Sequence, residues 1–121
     1  MPGAAGTQNL PRAVGLRRAK EIVLTGRPFS AEEALAWGAI NRICAEGTLM
    51  DEALATARTI AGNAPISVRQ AKKSLNAAEQ MDLKNGYDFE IEAYNRTVGT
   101  EDRYEGIRAF NEKRKPVYKG R

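Results

Sequence analysis

A chain of 121 residues with 42% hydrophobic and 28% charged side chains has the composition of one folded domain able to bury a core, not of a disordered segment. No apolar run approaches the length of a membrane span, no basic-then-apolar leader is recognisable, and the absence of histidine excludes the usual serine or cysteine triad and most zinc sites. The net charge of +4 belongs to the C-terminus: Lys113, Arg114, Lys115, Lys119 and Arg121 more than account for it, whereas a nucleic-acid binder spreads its basic residues along a face or a helix.

In chain order, Pro2 to Thr7 is a small-residue turn opening a helix, and Leu16 to Thr25 reads as a short helix closed by Gly26 and Pro28. Ser30 and Glu33 have the spacing of a capping box, and the helix behind them ends at Gly38, a natural left-handed cap. Residues 39–44 alternate imperfectly and predict a short strand. No second strand is visible, so this one is either a loop or a strand whose ladder partner lies outside the chain. Three longer helices follow: one from Gly47 or Thr48 to about Gly62, one from Pro65 to about Gln80, and one capped by Asp82 and stopped by Gly99. Their predicted inward stripes are Met50, Leu54, Ala57 and Ala61; then Val68, Ala71, Leu75 and Ala78; then Leu83, Tyr87, Ile91, Tyr94 and Val98. Thr100 caps a last helix that runs to about Arg114, with Glu101 and Asp102 at its start and basic residues at its end, as the helix dipole favours. These helices either pack on one another or form an outer layer for a sheet or a second subunit.

Chemistry is sparse. The single Cys44 cannot form an internal disulfide, which fits a reducing, cytoplasmic compartment, and it reads as a small buried residue. No cysteine pair, calcium loop or phosphate-binding lysine motif is present, so no metal is expected. The acidic pairs Glu32 with Glu33, Glu90 with Glu92 and Glu101 with Asp102 read as solvated surface, and no general acid or base stands out. The basic tail reads as solvated or as a contact for a phosphate-bearing ligand. The Pro2–Thr7 turn is either a plain start to a helix or a place where backbone N–H groups approach an anionic ligand.

Three ordered blocks then carry a resemblance. PGAAGTQNLPRAVG (residues 2–15) is similar to the pattern PGxGGTxxLxRxxG; EIVLTGRPFSAEEALAWGAINRI (21–43) to a helix, LTG turn, AxxAxxxGLV and short strand; and DRYEGIRAFNEKRKPVYKG (102–120) to DxxEGxxAFxEKRxPxFxG. All three resemble the C-terminal half of the crotonase superfamily, the enoyl-CoA hydratases and isomerases. Ala5 in place of a commoner glycine and Asn9 in place of a common arginine are departures that blur the subfamily.

The resemblance implies a mainly α chain of five to six helices and at most one short strand, the C-terminal portion of the α/β crotonase (ClpP/crotonase-like) fold. Residues 1–46 are then the end of the core region, with the strand at 39–44, and residues 47–121 a helical assembly region. It implies a parent enzyme, a hydratase (lyase) or isomerase of 2-enoyl-CoA thioesters in fatty acid metabolism. Such enzymes work through an oxyanion held by backbone N–H groups and acidic side chains that lie upstream of this chain, so the chain alone is expected to be inactive. Carried over residue by residue, the Gly3 N–H helps place the reacting water or acyl group beside Pro2, and Phe110 and Lys113 reach toward the coenzyme A of a neighbouring subunit; Phe110 could equally be core against Ile107. The implied partners are an acyl-CoA substrate and further copies in a trimer or dimer of trimers, with no separate cofactor, nucleic acid or membrane. Met1 could be internal to a longer chain. A stand-alone helical oligomerisation or interaction module without catalysis is the competing reading, and a small nucleic-acid binder a distant third.

Overall fold

Local capping signals decide where the helices begin and end. The computed structural model describes residues 1–121 and contains seven helices and no strand: α1 Gly6–Val14, α2 Leu16–Thr25, α3 Ala31–Ala36, α4 Leu49–Ala61, α5 Pro65–Ala78, α6 Leu83–Val98 and α7 Glu101–Asn111. The Ser30 hydroxyl accepts the Glu33 N–H at 3.2 Å and the Glu33 carboxylate accepts the Ser30 N–H at 3.0 Å, completing the capping box. Asp82 accepts the N–H groups of Lys84 and Asn85, each at 3.1 Å, and Thr100 accepts that of Arg103 at 3.2 Å. Gly38, at φ 77, closes α3 by donating to Leu35 O while Ala39 donates to Ala34 O. The predicted strand at 39–44 is irregular backbone. Its N–H and C=O groups have no second strand in the chain to pair with, and a strand cannot exist without a ladder.

The chain divides into two compact units, Met1–Leu49 and Met50–Arg121. In the first, α1 packs on α2, and Gly15 at φ 80 makes the break between them. Ala19, Ile22 and Ala34 are buried. A polar and aromatic cluster closes the unit: the Arg18 and Arg27 guanidinium groups lie over the Trp37 ring at 4.8 and 5.5 Å, and Phe29 tilts against that ring at 5.3 Å. Arg27 also pairs with Glu33 at 3.1 Å. The Ser30 N–H, aided by Arg27, holds the Glu33 carboxyl below the usual range. Glu33 is thus a cap and ion-pair member rather than free surface.

In the second unit α5 packs on α6, but not on the predicted faces. The sheltered positions are Pro65, Ile66, Val68, Gln70, Ser74 and Ala77 on α5 and Gly86, Phe89, Ala93 and Thr97 on α6, so Val68 alone of the predicted α5 stripe is among them. Leu83, Tyr87, Ile91, Tyr94 and Val98 form the continuous stripe that periodicity predicts, yet all are exposed, Leu83 at 70%. Ala71, Leu75 and Ala78 of α5 are exposed as well, and so is all of α4 from Met50 to Ala61. The reason is geometric. Narrow faces let two helices approach closely, and the wide apolar faces are left without a layer to cover. Across the chain only five hydrophobic residues are buried, and four of them are alanine.

The basic tail is not a solvated appendage. Asp102, 2% exposed, accepts the N–H groups of Lys119 at 2.6 Å and Gly120 at 2.8 Å, and its own N–H donates to Arg121 O at 3.1 Å. Tyr118 lies over Gly106, where an added methyl would come within 3.3 Å of its hydroxyl. Residues 117–121 therefore run back along α7, and the expectation that Asp102 is free surface is corrected: it serves as an acceptor for backbone donors that would otherwise be unpaired. Asp102→Ala should lower the stability of residues 50–121 by about 3 kcal/mol, because two backbone N–H groups lose a charged acceptor in a buried position; equilibrium urea unfolding measures it.

Candidate functional site

Two stretches hold the residues singled out by sequence, one in each unit. In the first unit, Pro2 and Gly3 are exposed, and the Gly3 C=O accepts the Gly6 N–H at 2.9 Å. This bond turns the chain into α1. Ala4 and Ala5 sit at φ 49 and 62, a left-handed conformation that side chains resist, and α1 starts from Ala5 without any side-chain cap. The Gly3 N–H itself has no acceptor within the chain. A backbone donor next to two strained residues at an uncapped, positive helix end is suited to hold water or a carbonyl oxygen that is gaining negative charge.

In the second unit, Phe110 and Lys113 lie at the end of α7. Phe110 is 83% exposed, so within this chain it is not core, and Ile107 does not cover it. Lys113 stands at φ 53, one residue past the helix cap, with its N–H donating to Phe110 O at 3.2 Å and the Arg114 N–H to Ala109 O at 3.0 Å. This is the closing motif that glycine usually serves, here with lysine in the left-handed position. The Lys113 ammonium has no ion pair. Beside it, Glu105, 8% exposed, binds Arg114 through both oxygens at 2.6 and 3.1 Å, Arg108 at 2.7 Å and the Val117 N–H at 3.0 Å. Those bonds, Arg114 first, hold its carboxyl well below the usual range and push the Arg114 guanidinium up in turn.

A groove of about 660 Å³ opens between α5, α6 and α7, lined by Gln70, Ala71, Ala93, Tyr94, Arg103, Ile107 and Tyr118 among others. The Gln70 Oε1 is buried there without a partner, and Arg103 donates to the Tyr94 hydroxyl at 2.7 Å. Of the two carboxylates that line it, Asp102 is engaged by the tail and only Glu90 is free. No group of three or more metal-ligating side chains exists. Neither stretch, nor the groove, contains a pair of carboxylates placed for acid–base chemistry. Of the residues singled out from the sequence, the structure places Pro2 and Gly3 in the first unit and Phe110 and Lys113 in the second. Sequence reasoning overlooked the roles of Asp102 and Glu105, although both are fixed letters of the closing block.

This arrangement of helices is that of part of the crotonase fold, as its superposition on solved enoyl-CoA hydratases shows. The chain belongs to the enoyl-CoA hydratase/isomerase family, whose sequence model matches residues 1–121. The Bacillus subtilis protein YngF, named for the same enzyme family, is 47% identical over 120 residues, which are 99% of this chain and 46% of that protein. The mitochondrial enoyl-CoA hydratase of Pongo abelii is 45% identical over 119 residues, 98% of this chain and 41% of the relative. The crystal structure of an enoyl-CoA hydratase from Bacillus anthracis superposes with a TM-score of 0.96 at 45% identity, covering 100% of this chain and 47% of that one. The chain spans about half the length of the relatives it matches.

Two outcomes follow from this geometry. Ala5→Gly should raise the melting temperature, with a gain of about 0.5–1 kcal/mol, since relief of left-handed strain exceeds the entropy glycine adds to the unfolded chain. The Glu105 contribution should be complete above its ordinary value of 4.5 and fade as pH falls below it toward the depressed folded value, because a depressed carboxyl stabilises only while ionised. Loss of protection at the Val117 amide in acid, read by hydrogen exchange, reports it.

Proposed function

We propose that this chain is the C-terminal part of an enzyme acting on 2-enoyl-CoA thioesters, as a hydratase or isomerase, and that it supplies binding and assembly rather than acid–base chemistry. The observation that carries the reading is the exposed phenylalanine and unpaired lysine at the end of α7 in the second unit, and the first unit adds, by itself, an unengaged Gly3 N–H in a strained turn. In this reading the Gly3 N–H, beside Pro2, orients water or the acyl group. Phe110 offers a flat apolar surface to an adenine-like ring, and Lys113 a compact positive charge to phosphate. The coenzyme A thioester is substrate, and no separate cofactor or metal takes part. The compartment is a reducing one, as a lone Cys44 suits, and the cytoplasm is the simplest assignment.

The uncovered stripe on α6 and the bare faces of α4 fit two neighbours: the half of the relatives' length that this chain does not match, and further copies of the chain in a trimer. Without that half, no acidic pair is placed to move a proton to or from substrate, and the chain alone is inactive. The competing reading, a helical interaction module without catalysis, draws on the same exposed faces and differs only in needing no substrate.

The deciding experiment mixes the pure chain with the separately produced N-terminal half of the Bacillus anthracis enzyme and follows hydration of a short 2-enoyl-CoA. We expect no turnover by the chain alone, turnover by the mixture, and its loss in Lys113→Ala at low substrate concentration. Turnover by the chain alone overturns the division of labour. A stable complex of both halves that binds no acyl-CoA favours the interaction module.

A further inference from the structure

The tail of this chain sorts its cations by chemistry. Arg114 is bound by Glu105 and Glu112, and Arg121 by Glu101 at 3.0 Å. Lys113, Lys115 and Lys119 are exposed and form no ion pair. The planar fork of arginine is used where a fixed geometry is needed, and the three lysines keep their charge free. Meanwhile the two buried carboxylates one helical turn apart, Asp102 and Glu105, both bind the segment that follows Lys113, Glu105 sharing one oxygen with Arg108 of α7.

A lysine in the left-handed conformation does not stay there unaided, because its Cβ crowds the backbone. Here the position is fixed from both sides. The helix end fixes it through the Lys113 and Arg114 amides, and Glu105 fixes the next residue through both Arg114 terminal nitrogens and the residue after Pro116 through the Val117 N–H. Asp102 then anchors residues 119 and 120. We propose that Asp102 and Glu105 are positioning residues for Lys113: they clamp the returning segment so that the Lys113 side chain leaves from one fixed backbone position toward a phosphate of the ligand. This rests on the reading of Lys113 as a phosphate contact and adds a cause for its placement. An affinity gain of this kind comes from ordering the contact before the ligand arrives.

The test is a double-mutant cycle on the 121-residue chain, with coenzyme A as the probe and calorimetric titration as the readout. Lys113→Ala and Glu105→Gln should each weaken binding about tenfold, and the double variant should bind no more than about twofold more weakly than Lys113→Ala, since Glu105 acts through Lys113. Asp102→Asn should show the same coupling. Full losses that simply add overturn the proposal, because Glu105 then matters for stability and not for Lys113. If Lys113→Ala weakens binding and Glu105→Gln does not, the proposal fails while the Lys113 contact stands. If the unsubstituted chain does not bind coenzyme A, or Lys113→Ala binds as well as it does, the phosphate reading itself fails and takes the proposal with it. Should Glu105→Gln not fold, Arg114→Lys retains the charge and the buried acid but withdraws the fork; binding equal to the unsubstituted chain would overturn the proposal, and a loss that vanishes in the Lys113→Ala background would support it.

Discussion

Seven helices in this chain carry more large apolar side chains than they can cover among themselves, and everything else in the structure is arranged around that shortage. A helix is stabilised mainly by burying its apolar face. Here α5 packs on α6 with only one buried residue, Ala93, between them, and the stripe from Leu83 to Val98 stays in water. Contact through small residues is a good way to bring two helices close, but it removes little apolar area from solvent. The wide faces remain for a layer that seven helices cannot provide.

Polar chemistry takes over part of the work. In the first unit, Glu33 joins a helix cap to Arg27, and Arg27 in turn lies over Trp37. In the second, Asp102 and Glu105 turn a charged tail into a strap on α7. Both devices use a carboxylate to satisfy backbone donors and guanidinium groups together. Bonds of this kind are directional and short, so they fix the path of the chain more sharply than the thin apolar contacts do.

What was legible in the sequence was local. Ser30 with Glu33, Asp82, Thr100 and Gly38 act within four residues of themselves, and each does what its position implies. The α6 stripe was legible as a period, but a period says that one face is apolar and not whether anything lies against it. Asp102 looked like surface, and Glu105 drew no reading beyond its place in the closing block, because their partners are far along the chain: Val117 is 12 residues from Glu105, and Lys119 and Gly120 are 17 and 18 from Asp102. The strand at 39–44 failed for the same non-local reason, since pairing needs a second segment. At the candidate site, Gly3 and Lys113 could be found from the blocks that surround them. The left-handed backbone of Ala4, Ala5 and Lys113 could not, because nothing in an alanine or a lysine announces it.

The division between engaged arginines and idle lysines in the strap has a consequence for chemical modification. No bond that holds residues 114–121 on α7 uses a lysine side chain. Acylation of Lys113, Lys115 and Lys119 would therefore erase three positive charges and leave the helix, its cap and the returning segment as they are. In a protein whose relatives handle activated acyl groups, the strap's charge is separable from its shape: one can be edited while the other persists.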